Sequence, residues 1–122
     1  MQQTKILVVE DDDDLREAIV ASIAELGAEV ESARDGVEGL ERLAVGKVPS
    51  AILLDIRMPR LDGQGFLEVL RAEPRLANIP VITMSGGPTP PPVPPVTSRV
   101  YKPFDVDEVA RILVSLGDSE TA

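Results

Sequence analysis

Ala51-Ile52-Leu53-Leu54-Asp55-Ile56-Arg57-Met58-Pro59 is the stretch that decides the fold. Four consecutive apolar residues suit a central parallel strand covered on both faces. The carboxylate that ends them, Asp55, is costly to bury alone. It needs a cation, a hydrogen-bond network or a chemical role. A second apolar run, Ile6-Leu7-Val8-Val9, also ends in acids, Glu10 through Asp14. Two strand-ending acidic sites point to a single site assembled in space.

Working outward, Asp14-Leu15-Arg16-Glu17 reads as a helix start, with Asp14 as the cap and Glu17 three residues on. Leu15, Ile19, Ile23 and Leu26 share one helical face, and Gly27 stops it. Glu29 to Ala33 alternates charged and apolar residues as an edge strand does, and Asp35-Gly36 reads as a turn. Val37, Leu40, Leu43 and Ala44 form the next helical stripe before Gly46. After Asp62-Gly63, the residues Phe66, Leu67 and Leu70 mark a third helix that fades before Pro74. Pro80 to Met84 is a fourth strand, and Val100 and Tyr101 sit in a fifth, just before Lys102-Pro103. A last helix carries Val106, Val109, Ile112, Leu113 and Leu116, with a stop expected at Gly117. Strands alternating with helices imply an α/β fold around a parallel sheet with right-handed crossovers. Ligands in such sheets bind outside the carboxyl ends of the strands. Glu10, Asp11, Asp55, Ser85 and Lys102 all fall there.

One element is missing from this alternation. Gly86-Gly87-Pro88-Thr89-Pro90-Pro91-Pro92-Val93-Pro94-Pro95-Val96-Thr97 separates the fourth and fifth strands. An interior proline costs a helix roughly 3 kcal/mol, so a loop, not a helix, is expected here. A polyproline II path covers the distance, and about a dozen residues suffice for a parallel crossover.

Composition narrows the chemistry. The chain has 122 residues, enough for one domain with a real core. Its 21 acidic and 12 basic residues give a net charge of -9, which repels nucleic-acid phosphates. Cysteine is absent, which excludes disulfides, thiolate nucleophiles and Cys-based zinc sites. Histidine is absent too, which removes the usual general base and the usual phosphohistidine carrier. The nucleophile must be a carboxylate, a hydroxyl or a lysine. MQQTK is followed by no long apolar stretch, so neither signal peptide nor membrane span is expected, and the location expected is cytoplasmic.

At this point the residues resemble a known family, the CheY-like receiver domain of two-component response regulators. The matching pieces are Val8-Val9-Glu10-Asp11-Asp12, Leu53 through Pro59, Asp62-Gly63, Val81 through Gly86, and Tyr101-Lys102-Pro103-Phe104. Each is weak alone; all of them in order, each near a strand end, cover almost the whole chain. The resemblance implies a doubly wound five-stranded parallel sheet in the order 2-1-3-4-5, here with the fourth helix replaced by the proline-rich loop. It implies that Asp55 is the phosphoacceptor, that Glu10 and Asp11 hold Mg²⁺ together with Asp55 and the Arg57 backbone carbonyl, and that Ser85 and Lys102 contact the phosphoryl group. It also implies a cis Lys102-Pro103 bond and a phosphoryl donor that is a histidine kinase or phosphotransfer protein. The expected function is that of a phosphoacceptor with weak self-dephosphorylation, not of an enzyme acting on metabolites. The chemistry agrees, because phosphoryl transfer is mostly positioning and charge stabilisation, and magnesium prefers oxygen ligands and keeps several waters.

Other readings compete. Asp11 to Asp14 could be a solvated helix start, where acids favour the dipole; this suits Asp13 and Asp14 and leaves Asp12 open. A calcium loop lacks its glycine and terminal glutamate. Asp55 and Lys102 could be a structural ion pair. A degenerate receiver serving as a phosphorylation-independent scaffold is the main alternative function, supported by the missing helix. A small Mg²⁺-dependent phosphatase is disfavoured, since Arg57 stands two positions after Asp55 where a second acid or base would be needed.

The chain departs from the family on its output side. Three residues before Lys102 the family carries an aromatic switch residue, and here Arg99 stands. Tyr101 lies two residues on and should point to the same side, so Ser85, Arg99 and Tyr101 are the switch candidates. Val93, Val96 and the flank of the last helix are expected to form an apolar patch for a downstream protein or a second copy. The proline run could instead be a polyproline II ligand. Residues 1–117 are read as the domain and 118–122 as a frayed tail. The chain either acts alone through protein contacts or belongs to a longer protein.

Overall fold

A computed structural model describes residues 4–57, 62–86 and 96–121. The chain alternates β1 (Lys5–Val9), α1 (Asp13–Glu25), β2 (Glu29–Ala33), α2 (Gly36–Ala44), β3 (Ala51–Asp55), α3 (Gly63–Ala72), β4 (Val81–Ser85), β5 (Ser98–Tyr101) and α4 (Val106–Thr121). The five strands form one sheet in the order β2-β1-β3-β4-β5, with every pairing parallel. This is the expected doubly wound arrangement. β1, β3 and β4 are buried at every residue, as central strands should be, whereas β2 and β5 are partly exposed edges.

Alternation along the strands sorts the core into two layers. Ile6, Val8, Ala51, Leu53, Ile82 and Met84 face one side, against Ile19 and Ile23 of α1 and Val109, Ala110 and Leu113 of α4. Leu7, Val9, Ile52, Leu54 and Val81 face the other, against Leu43 of α2 and Phe66, Leu67 and Leu70 of α3. Burying a side chain of this size contributes about 1.5–3 kcal/mol, so the two layers carry most of the fold's stability.

Three local expectations are corrected. The first helix is capped by Asp12, not Asp14: its carboxylate accepts from the Leu15 N–H at 3.1 Å, and Asp13 and Asp14 sit inside the first turn. Gly117 does not stop the last helix, which runs on to Thr121 through residues read as a frayed tail. The glycine serves a close approach instead, since a Cβ there would stand 2.5 Å from Thr4 Cγ2 and 3.0 Å from Ser50 Cβ. Val96 is partly buried in the layer that holds Val81 and Phe66, on the sheet face opposite α4, so it shares no patch with that helix. Gly27, by contrast, ends α1 with a positive φ of 86° as expected. The proline-rich run from 87 to 95, with Val93, lies outside the described residues, as do Met58 and Pro59.

Candidate phosphoacceptor site

The alternation that builds the core also builds the site. Glu10 continues the parity of Ile6 and Val8, Asp55 that of Ala51 and Leu53, and Lys102 that of Val100. The three side chains therefore emerge on one side of the sheet, at the carboxyl ends of three strands. Glu10 is fully buried, Asp55 is 3% exposed, and Asp11 is exposed. One carboxylate oxygen from each of Glu10, Asp11 and Asp55 lies within 4.8 Å of the others. The Lys102 ammonium stands 2.9 Å from Glu10 Oε1 and 3.4 Å from Asp55 Oδ2. The lysine was expected on Asp55; it sits closer to Glu10.

Each loop is pinned from behind. The Glu10 N–H donates to Ala33 O at 3.0 Å, and the Asp12 N–H donates to Glu10 Oε2 at 3.0 Å. Arg57 N–H donates to Asp55 Oδ1 at 3.1 Å, which places Arg57 directly beside the carboxylate. Ile56 N–H donates to Met84 O at 3.0 Å, and Lys102 N–H donates to Ser85 O at 2.7 Å. Ser85 is buried at the end of β4 and pairs in register with Tyr101. The Lys102-Pro103 bond is cis, as the resemblance implied. Arg99 and Tyr101 do share a side: the guanidinium carbon lies 5.7 Å from the tyrosine ring centroid, a cation–π contact. Tyr101 is about half exposed.

The electrostatics favour a bound cation. Burial, and then the charge of Glu10, push the Asp55 carboxyl from 3.8 up to about 7, against the opposing pull of the Arg57 N–H and Lys102. Burial pushes the Lys102 ammonium down, but Glu10 and Asp55 outweigh it and the net shift is upward. One lysine is thus shared by two buried carboxylates, with a third nearby. Glu10 Oε1 is buried and accepts no well-directed hydrogen bond, although the lysine is within ion-pair distance. An under-satisfied buried carboxylate oxygen among three oxygen donors fits a hard divalent ion.

Two contributors escaped the sequence reading. Gly63 lies so close under the site that a Cβ would stand 2.6 Å from Ile56 Cα and 2.7 Å from Asp55 O. Its signal was a glycine at the first helical position, directly after the Asp62 cap. Arg16 donates to the Glu10 carbonyl at 3.0 Å and to Asp13 Oδ1 at 2.6 Å. A cation in the first turns of a helix, against the dipole, was its signal.

Comparison with known proteins agrees with this geometry. Residues 6–93 match the family model described as the response regulator receiver domain. The chain is 51% identical over 67 residues to the response regulator MprA of Mycobacterium ulcerans, covering 55% of this chain and 27% of that protein. It is 37% identical over 98 residues to the sensor histidine kinase CheAY of Helicobacter pylori, covering 80% of this chain and 11% of that protein. It therefore spans only a minor part of either relative. The Francisella response regulator 1452 receiver domain superposes with a TM-score of 0.82 at 28% identity, covering 96% of this chain and 98% of that one. The chain belongs to the response regulator receiver domain family, the phosphoacceptor module of two-component signalling.

Proposed function

We propose that Asp55 accepts a phosphoryl group from a phosphohistidine on a histidine kinase or phosphotransfer protein, at a site where Glu10, Asp11, Asp55 and the Arg57 backbone carbonyl hold Mg²⁺. The observation that carries the reading is the convergence of three carboxylates at the strand ends, two of them paired to one lysine. An Asp55 carboxylate oxygen attacks phosphorus in line with the leaving imidazole nitrogen. The P–O bond forms as the P–N bond breaks, and the imidazole leaves with the bonding pair and takes a proton from solvent. Asp55 must be ionised to attack, and burial and the charge of Glu10 oppose this by raising its pKa to about 7. The ion, when bound, supplies positive charge to the carboxylates and the phosphoryl oxygens.

The chain's own residues supply the rest. Lys102 is already paired to both acids, and its flexible stem lets the ammonium follow the charge onto a phosphoryl oxygen. The Ser85 hydroxyl donates to another phosphoryl oxygen. The short Ser85 O···H–N Lys102 bond couples the two loops, so movement of one is passed to the other. Burial of Asp55 limits the water that would hydrolyse the acyl phosphate.

Readout is assigned to Arg99 and Tyr101 as a stacked pair, with output to a downstream protein or a second copy across β5 and α4. Tyr101 and Ile112 are exposed there at 49% and 39%. Titration with Mg²⁺ and beryllofluoride, a phosphoryl mimic, tests the site. The wild type should gain thermal stability beyond the Mg²⁺ effect alone, and Asp55→Asn should not. Equal behaviour of the two proteins would contradict the assignment. No response to any donor or mimic would favour the phosphorylation-independent scaffold.

A further inference from the structure

Arg16 occupies an unfavourable place. It lies in the second turn of α1, near a helix end whose dipole favours anions. Its side chain is nonetheless only 13% exposed and folds back toward the β1–α1 loop. There it donates to Asp13 Oδ1 at 2.6 Å and to the Glu10 carbonyl at 3.0 Å. The Asp13 side chain is 72% exposed, and such exposed ion pairs contribute little. The bond to Glu10 is the more protected one. The main chain of Glu10 is thereby fixed at both ends, its N–H on Ala33 O and its carbonyl on Arg16. Its carboxylate is fixed at Oε2 by the Asp12 N–H. Asp11, the exposed member of the acidic cluster, lies inside this braced segment.

We propose that Arg16 is a positioning residue for the cation site: its guanidinium braces the loop from Glu10 to Asp13 so that the Glu10 and Asp11 carboxylates are held ready for a divalent ion. The inference rests on the reading of that cluster as a cation site. The guanidinium meets the Glu10 carbonyl through Nη1 and Asp13 through Nη2, a rigid fork geometry that a point-charge ammonium on a shorter side chain does not reproduce. The site then needs little rearrangement on binding, and pre-organisation of this kind appears as affinity.

Charge and geometry predict opposite signs, and this makes the inference testable. Arg16→Met keeps the length and apolar stem of the side chain and removes one positive charge beside a cation site. On electrostatics alone it should bind Mg²⁺ more tightly. As a loss of bracing it should bind Mg²⁺ about 10-fold more weakly, the lower end of the range for residues that orient metal ligands. Arg16→Lys retains the charge and should still weaken binding several-fold. The measurement is the Mg²⁺ dissociation constant by calorimetry on folded protein, well below each variant's melting temperature. Tighter or unchanged binding by Arg16→Met, or wild-type affinity in Arg16→Lys, overturns the inference and leaves the site assignment standing. If Arg16→Met does not fold, Arg16→Lys decides alone. A wild type that binds no Mg²⁺ overturns both.

Discussion

At the residue scale, Asp55 carries a sign that can be checked without any phosphoryl donor. Its folded pKa of about 7 lies above the unfolded value of 3.8. Between those values the folded chain holds a proton that the unfolded chain has released. The stabilisation is therefore complete below about pH 4 and is lost as pH rises through 7. The metal-free wild type should melt at falling temperature from pH 5 to pH 8, and Asp55→Asn should be flatter over that window. A wild-type curve parallel to the mutant's would contradict the burial and Glu10 repulsion from which the shift derives. Asp55 itself could be picked out in the sequence because an acid ending a buried strand has few bland explanations. Lys102 was recognisable only by its motif, and its preference for Glu10 over Asp55 was not. That preference depends on distances between three strands, which no local pattern encodes.

Elements make their own test through two glycines. Gly→Ala within a helix ordinarily gains about 1 kcal/mol. At Gly63 the added methyl would meet the backbone of Asp55 and Ile56, which cannot swing aside. Gly63→Ala should lose roughly 1–3 kcal/mol by overpacking, read by urea denaturation, and should weaken Mg²⁺ binding because α3 presses on the loop after Asp55. At Gly117 the methyl would meet the Thr4 and Ser50 side chains, so Gly117→Ala should also destabilise, with Mg²⁺ binding intact. A stabilising effect at either position would refute the close approach. Strand and helix positions were readable because central strands are continuous apolar runs and the helices show clear stripes. The errors in element bounds fell at helix ends. Asp12, Asp13 and Asp14 are chemically alike, and only the reach of one carboxylate to the Leu15 N–H chooses the cap. Gly117 resembles a stop signal because its packing partners, Thr4 and Ser50, are distant in sequence. On β5, Tyr101→Ala should leave phosphorylation intact and abolish the phosphorylation-dependent response. A response that survives would remove Tyr101 from the readout.

Across the whole molecule, the two-layer core fixes two strand ends whose three acids repel one another, and the chain's charge of -9 adds to that cost. Mg²⁺ should relieve it. At about a hundredfold over its dissociation constant a ligand contributes roughly 2.7 kcal/mol. The melting temperature should therefore rise with millimolar Mg²⁺, more at pH 8 than at pH 5, because protons and the ion compete for Asp55. Fold and donor site share one logic, since the strand parity that buries Val8, Leu53 and Val100 also aims Glu10, Asp55 and Lys102. Output does not follow from that logic. It depends on which surface changes and which partner meets it, and the Arg99–Tyr101 stack is a property of paired side chains that sequence spacing could only hint at. The most direct test of the phosphoacceptor assignment is intact-protein mass spectrometry after incubation with acetyl phosphate, with and without Mg²⁺. The expected result is a single phosphoryl adduct that requires Mg²⁺, is stable in acid and labile in base, and vanishes in Asp55→Asn. An undiminished adduct in Asp55→Asn, or none in the wild type with any donor, would contradict it.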